Sequence, residues 1–330
     1  MKALVYTGRH QLQIQDVADA EAAPGCAVVQ VDAVGICGSD MHAYHGHDER
    51  RPPPLILGHE AAGRILTGAR AGRRVAVNPL VTCGTCEACI GGRSHLCRSR
   101  QILSMPPRQG AFAQRVAVPE ANLVDIPEDL DIVHAALSEP IAVAYHAVNL
   151  GLAASARPAS GTSTVVLGGG AIGLACALVL RMLGAQRISV AEPNADRRKT
   201  AATAGPFEVY TPDRESPAES SVDLVIDAVG GAQTRAAACH MVAPGGAIVH
   251  IGLLPGSEGL DIRKLTLQEI TFLGTYCYTP LDFRETVAAI ASGRLGDLRW
   301  LEERPLSDGA NAFRDIDAGK VAAAKIVLRP

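Results

Sequence analysis

From residue 164 to residue 276 the chain alternates short apolar runs with segments of helical spacing, and this rhythm restricts the fold more than any other feature. Residues 164–167, 187–191, 222–227, 247–251 and 270–276 read as strands. Residues 171–183, 195–204 and 232–242 read as the helices between them. Such alternation predicts an α/β region with a doubly wound parallel sheet, because parallel neighbours need a crossover long enough to hold a helix. The first strand runs into Gly168-Gly169-Gly170-Ala171-Ile172-Gly173. A G-x-G-x-x-G turn that follows a strand and opens a helix lets the backbone approach a pyrophosphate, which the helix amino terminus stabilises. Glu192 closes the next strand, 19 positions past Gly173. A carboxylate there would bind the adenosine ribose hydroxyls and repel a 2′-phosphate, so NAD is the expected cofactor. Arg197 and Arg198 follow closely and leave NADP open. The uncharged stretch 158–180 has the length of a membrane span, but its three consecutive glycines divide it into connector, strand, turn and helix.

The 330 residues suggest about two domains. Before residue 130 the pattern is β-rich, with runs at 27–34, 61–66, 73–77 and 112–118 separated by Pro and Gly, as in a barrel-like domain with long loops. The opening Met1-Lys2-Ala3-Leu4-Val5-Tyr6 is a strand, too short for a signal peptide. Residues 132–150 have helical spacing, broken near Ser138-Glu139-Pro140. Proline belongs in a first helical turn, so a second helix opens there with Glu139 at its amino end. Two further helices, 281–292 and 309–319, precede a last strand at 325–328 that has the character of the first domain. The expected division is 1–150 with 277–330, and 151–276. A net charge of −3 gives no reason to expect nucleic acid or an anionic membrane as partner.

Four of the nine cysteines fall in Cys83-x2-Cys86-x2-Cys89-x7-Cys97. An odd total without a secretion signal points to a reducing, cytoplasmic setting and to metal binding over disulfides. Four thiols at this spacing, with Gly84, Gly91 and Gly92 for tight turns, suit a closed tetrahedral zinc site of structural role. Iron–sulfur ligation is the competitor, but ferredoxin spacings differ. Cys26, Cys176, Cys239 and Cys277 read as small core residues.

A second cluster lies in Gly35-Ile36-Cys37-Gly38-Ser39-Asp40-Met41-His42 and Gly58-His59-Glu60. Cys37 and His59 are good zinc ligands, and a catalytic zinc needs three protein ligands and one open position. Between them lies a His-, Arg- and Pro-rich loop, 46–57. Its His47, Arg50 and Arg51 read as a site for an anionic group or as a solvated lid. His45 and His47 have no ligand role in this reading.

Taken together, these motifs resemble the zinc-dependent medium-chain dehydrogenase/reductase superfamily, the alcohol dehydrogenases, over essentially the whole chain. The pair Glu139-Pro140 looks most like the polyol and threonine dehydrogenase branch. The resemblance implies a GroES-like β-barrel catalytic domain, completed by the carboxy-terminal segment and carrying the zinc lobe 83–97, plus an inserted Rossmann domain. It implies two zinc ions per chain. Cys37, His59, Glu60 and Glu139 would surround the catalytic one, with Glu60 or Glu139 or water completing the shell. Cys83, Cys86, Cys89 and Cys97 would hold the structural one. Ser39 and His42 would carry the substrate proton to solvent. Gly168, Gly170, Ile172, Gly173, Glu192, Arg197, Val229, Leu253 and Tyr276 would contact the cofactor. Ser39, Tyr44, Phe112 and Glu139 are candidates for the substrate pocket. Thr275 stands where sorbitol dehydrogenases usually carry Arg, which argues against a sorbitol-like substrate. The resulting expectation is NAD-linked oxidation of a small polar secondary alcohol in a homodimer or homotetramer paired along the edge of the second sheet. The competing readings are an NADP-linked carbonyl reductase and a non-catalytic dinucleotide-binding sensor.

Overall fold

The Val- and Ala-rich run that begins at Cys26 forms the longest strand of the chain and the spine of its first unit. The computed structural model describes residues 1–330. In chain order it begins with β1 (Lys2–Gly8), β2 (Gln11–Asp16), β3 (Cys26–Gly35), α1 (Gly38–Tyr44), β4 (Leu55–Ile56), β5 (Glu60–Ile65) and β6 (Arg74–Val77). The cysteine lobe contains β7 (Leu80–Val81), α2 (Glu87–Ile90) and β8 (Gln101–Ile102). There follow β9 (Arg115–Pro119), β10 (Leu123–Asp125), α3 (Ile132–Ala136) and α4 (Ser138–Ala154). The alternating region gives β11 (Ser163–Leu167), α5 (Ala171–Met182), β12 (Arg187–Ala191), α6 (Ala195–Ala204), β13 (Glu208–Tyr210), β14 (Val222–Asp227) and α7 (Ala232–Met241). It closes with β15 (Val242–His250), α8 (Ile262–Leu267) and β16 (Thr271–Gly274). The remainder is α9 (Pro280–Ala291), β17 (Leu301–Pro305), α10 (Gly309–Asp317) and β18 (Lys325–Arg329).

One unit comprises Met1–Pro140, Thr279–Ser292 and Leu301–Pro330. Its larger sheet runs β10-β6-β5-β3-β18-β17, with β9 also paired to β3. A smaller sheet runs β2-β1-β4. The pairing of β3 with β18 brings the last strand of the chain beside residues 34 and 35. Its core is built on Leu4, Leu57, Ile65, Phe112 and Phe313, all fully buried. The rings of Phe112 and Phe313 meet edge to face at 5.9 Å, and Tyr44 lies 5.4 Å from Phe313. Tyr44 and Phe112 therefore line the apolar core and do not line a substrate pocket.

The other unit comprises Ile141–Tyr278 and Gly293–Trp300. Its six strands run β13-β12-β11-β14-β15-β16, all parallel. This is the Rossmann order, which reverses between β11 and β14 and binds ligands beyond the strand ends at that point. β16 is one edge of the sheet.

Every expected strand and helix of the alternating region is present, but several bounds differ. β16 stops at Gly274, two residues short of expectation, so Tyr276 lies beyond it. The junctions fall at 140/141 and 278/279, and residues 293–300 rejoin the second unit. The first shift has a packing cause. The Cα of Gly151 in α4 sits so close to Val249 and Leu224 that a Cβ would come within 2.9 Å of one and 3.0 Å of the other. After Pro140, therefore, α4 packs on β14 and β15. Strand β17, Leu-Glu-Glu-Arg-Pro, escapes sequence reading because its charged side chains show no alternation of apolar residues, whereas β2, Gln-Leu-Gln-Ile-Gln-Asp, does alternate and was within reach of it. No helix is long and apolar enough to cross a membrane.

Candidate functional site

Register brings the first cluster together. In the pairing of β3 with β5, Gly35 stands opposite Glu60. Cys37 follows two residues after Gly35, and His59 immediately precedes Glu60. One ligand atom from each of Cys37, His59 and Glu60 lies within 4.8 Å of the others. His59 and Glu60 are buried and Cys37 is partly so. Glycine is required at 35, because a Cβ there would lie 2.0 Å from Oε2 of Glu60.

The surrounding groups orient these donors. The Asp40 carboxylate, fully buried, accepts from the backbone N–H of Cys37 at 3.0 Å and thereby starts α1. Its other oxygen is 3.5 Å from Nδ1 of His59, and Oγ of Ser104 is 3.3 Å from that same nitrogen. With Nδ1 engaged in this way, Nε2 is left as the ligating nitrogen. Burial disfavours a charged imidazole, yet Asp40 and Cys37 together raise His59 well above its ordinary range. A pocket that stabilises positive charge on a buried ring also favours a cation at the same place. Glu60 is fully buried; Oε1 accepts from Nζ of Lys325 at 2.7 Å, and Oε2 has no hydrogen-bond partner. An unpaired buried carboxylate oxygen costs on the order of 1–3 kcal/mol, and a metal ion would satisfy it. Lys325 also donates to the Ile36 carbonyl at 2.9 Å. Burial alone would lower its affinity for a proton, but Glu60, Cys37 and Glu139 outweigh that and raise it. The donor set, an orphaned oxygen and an excess of negative charge fit a divalent zinc ion.

Glu139 is buried in the first turn of α4 and raises the proton affinity of Lys325, and its carboxylate is not among the three donors that lie within 4.8 Å of one another. The loop 46–57 brings a correction. Arg51 is only 2% exposed and does not greet an external anion. It donates to the carbonyls of Ser104 and Ser39 at 3.0 and 2.9 Å, to Asp48 at 3.0 Å, and to Oγ of Ser39 at 3.3 Å. Because Arg51 occupies an acceptor site on the Ser39 hydroxyl, the Ser39 proton is directed elsewhere. His42, one helical turn further on the same face of α1, is half-buried. Burial and then His45 lower its proton affinity, and Asp48 opposes them.

The four cysteines form another group that could hold a metal ion. Their Sγ atoms lie within 4.8 Å of one another, with separations of 3.9, 3.5 and 3.5 Å for Cys83–Cys89, Cys86–Cys89 and Cys97–Cys83. A tetrahedron of thiolates around zinc has edges of about 3.8 Å, while a disulfide would require about 2.0 Å. Hydrogen bonds from the Thr85 and Cys86 backbones bring Cys83 down to about 6, which favours the thiolate that zinc binds. His95 is not in this group. Cys176 and Cys239 are buried as expected, whereas Cys26 and Cys277 are partly exposed.

In the second unit, Gly168 has φ +100° and Gly170 precedes α5. Only glycine fits at 173, since a Cβ would approach the Gly168 carbonyl oxygen to 1.8 Å. Glu192 is buried beyond β12; its carboxylate accepts from the N–H groups of Gly169 and Asn194, both at 2.8 Å. Val229 abuts Gly168, where a Cβ would meet it at 2.7 Å. The loop carrying Val229 is set by Asp227, which accepts from Val229 N–H and Gly230 N–H at 3.1 and 2.8 Å. Leu253 is 69% exposed, Ile172 lies in the first turn of α5, and Tyr276 is half-buried. Arg197 opens α6 with its Nε buried and without a partner. The glycine turn, a helix amino terminus and an acidic strand end suit a dinucleotide. Sequence reasoning missed Asp40, Arg51, Ser104, Asp227 and Lys325. Only Lys325 had a legible sign, a single charge opening an apolar strand.

Residues 23–128 match the family described as alcohol dehydrogenase GroES-like domain, and residues 171–292 match that described as zinc-binding dehydrogenase. Probable D-xylulose reductase A of Neosartorya fischeri is 32% identical over 341 residues, covering 96% of this chain and 94% of its own. The 2-dehydro-3-deoxy-L-galactonate 5-dehydrogenase of Pseudoalteromonas atlantica is 31% identical over 312 residues and covers 89% of each chain. Among solved structures, a zinc-binding dehydrogenase of Sinorhizobium meliloti 1021 bound to NADP aligns with a TM-score of 0.88 at 30% identity. That alignment covers 100% of this chain and 99% of the other.

The Glu60–Lys325 pair makes a direct prediction. Lys325→Ala leaves a buried carboxylate without its counter-charge and should lower stability to urea by about 3–5 kcal/mol. Glu60→Gln combined with Lys325→Met should recover most of that loss. Unfolding curves of Lys325→Ala that overlay the parent's would refute the pairing.

Proposed function

The chain belongs to the zinc-dependent alcohol dehydrogenase superfamily, and from that premise we propose that it oxidises a small polar secondary alcohol, a polyol or sugar derivative, with NAD as acceptor. That the chain is an alcohol or polyol oxidoreductase using zinc and a nicotinamide cofactor follows from its family. The observation that carries the proposed site is the convergence of Cys37, His59 and Glu60 around an unpartnered carboxylate oxygen. When bound there, zinc would polarise the alcohol oxygen and lower its pKa, and NAD would accept the hydride. Ser39, its hydroxyl held from behind by Arg51, takes the alcohol proton. His42 passes it to solvent; a ring whose proton affinity is already lowered by burial releases it readily near neutral pH. Glu139 and Lys325 balance charge around the site. Cys83, Cys86, Cys89 and Cys97 hold a second, structural zinc. Nine cysteines without a disulfide suit a reducing, cytoplasmic compartment.

Two relatives bear names that involve a pentulose and a sugar acid. They support a polyhydroxylated substrate or its ketone. For the cofactor, the Glu192 carboxylate at the end of β12 favours NAD through repulsion of a 2′-phosphate. NADP is the second reading, supported by the unpartnered Nε of Arg197 and by the NADP-bound Sinorhizobium relative. The edge strand β16 with its half-buried Phe272, and Leu267 nearby at 69% exposure, support association with a second copy of the chain.

Three measurements test this reading. Metal analysis should give two zinc ions per chain, and Cys37→Ala should give one. That variant should lose turnover by at least about a thousandfold, the equivalent of roughly 4 kcal/mol of transition-state stabilisation, while NAD binding persists. Undiminished turnover would remove Cys37 from the mechanism. The KM for NAD should lie at least about tenfold below that for NADP, with Glu192→Ala narrowing the gap. A parent enzyme that prefers NADP would reverse the assignment of Glu192. Light scattering should give the mass of a dimer or tetramer, and a monomer at micromolar concentration would exclude the β16 contact.

A further inference from the structure

The first unit carries a third convergence of metal-ligating side chains, away from both groups described above. His10 sits in the turn between β1 and β2, His45 caps the carboxy end of α1, and Asp317 ends α10. One ligand atom from each lies within 4.8 Å of the others. Nε2 of His45 is 2.7 Å from Oδ1 of Asp317, and the rings of His10 and His45 are 5.3 Å apart. The three segments are joined independently of these side chains. The His10 backbone N–H donates to the Tyr44 carbonyl at 2.7 Å, and the His10 ring packs edge-on against Tyr44 at 4.8 Å. Tyr44 packs in turn on Phe313 of α10. His10 is held at φ +58°, a left-handed conformation that turns its side chain towards this group at some cost in backbone strain.

We infer that His10, His45 and Asp317 form a further binding site for a divalent transition-metal ion, zinc or nickel in preference to magnesium. Two imidazoles and one carboxylate are a ligand set that suits zinc, nickel and cobalt, whereas magnesium takes oxygen ligands and resists dehydration. Ligands around tetrahedral zinc stand about 3.3 Å apart, a separation that falls between the 2.7 Å of the His45–Asp317 contact and the 4.8 Å limit of the group. The His45 and Asp317 side chains are 28% and 42% exposed, which lets water complete the shell. A lone ion pair between His45 and Asp317 does not account for His10, which comes from a different segment.

The ion would tie the β1–β2 turn and α10 to the far end of α1, the helix that begins beside Cys37. It would brace that helix without touching Cys37, His59 or Glu60. The site goes beyond the dehydrogenase reading and does not depend on it.

Equilibrium dialysis of the zinc-loaded protein against micromolar zinc tests the proposal. A third zinc equivalent should bind, with a rise of a few degrees in Tm when free zinc exceeds its Kd a hundredfold. Nickel should compete and magnesium should not. His10→Asn, which keeps the backbone conformation, and His45→Ala should each weaken the third equivalent at least tenfold. Both should retain the two tight zinc ions, and His10→Asn the parent's turnover, which serve as the check on folding. Cys37→Ala should still take up this ion, so failure of the dehydrogenase mechanism and failure of this site are separable. Two equivalents at every zinc concentration, or uptake unaltered in His10→Asn and His45→Ala, overturns the assignment.

Discussion

The ion pair between Glu60 and Lys325 is the interaction on which the first unit most depends. Both groups are almost wholly removed from water. Each alone would cost several kcal/mol to bury, so neither is tolerable there without the other. Lys325 opens the strand that pairs with β3, and its second bond reaches the Ile36 carbonyl. The same contact that fixes the carboxy-terminal strand in the sheet therefore fixes one oxygen of the carboxylate that stands beside Cys37 and His59. Stability and site geometry cannot be altered separately at this position.

A second layer of polar groups gives the site its order. Asp40 begins α1 through the Cys37 backbone and holds His59 through its ring. Arg51 joins the Ser104 carbonyl, beside the hydroxyl that also faces His59, to the carbonyl and hydroxyl of Ser39. The surroundings of His59 and the Ser39 hydroxyl are thus connected through one buried guanidinium. Arginine suits this place because its planar fork serves several acceptors at once and stays charged when buried. In the other unit Asp227 acts similarly, shaping the loop that abuts the glycine turn.

Much of this could be read from sequence, and the exceptions have physical causes. The parallel sheet was legible because its strands are short apolar runs between helices and its glycines meet steric demands of the turn. Cys37, His59 and Glu60 were legible because ligand chemistry is concentrated in two short motifs that strand register then brings together. The cysteine lobe was legible from spacing alone. Glu139 was placed at the site by resemblance, and it lies buried in the first turn of α4, where its charge acts on Lys325. Arg51 was misread because a charge in a Pro-rich loop ordinarily faces water, and nothing local reveals that backbone carbonyls await it. Tyr44 and Phe112 were misread for the opposite reason, since an aromatic near a site looks the same in sequence whether it lines a pocket or a core. Lys325 could not be paired with Glu60, because no local pattern links residues so far apart.

That distance, 265 residues between the two members of the pair, has a consequence for how the protein is made. Cys37, His59 and Glu60 leave the ribosome early, whereas Lys325 follows only after all the residues of the Rossmann unit. Through most of synthesis the metal-binding carboxylate has no counter-charge and β3 has no β18 beside it. The nascent site is thus an open, anionic edge until the final strand arrives. Contacts of such long range also close slowly, because the intervening chain must first be compacted. Formation of the Glu60–Lys325 pair and completion of the sheet are, on this topology, a single late event.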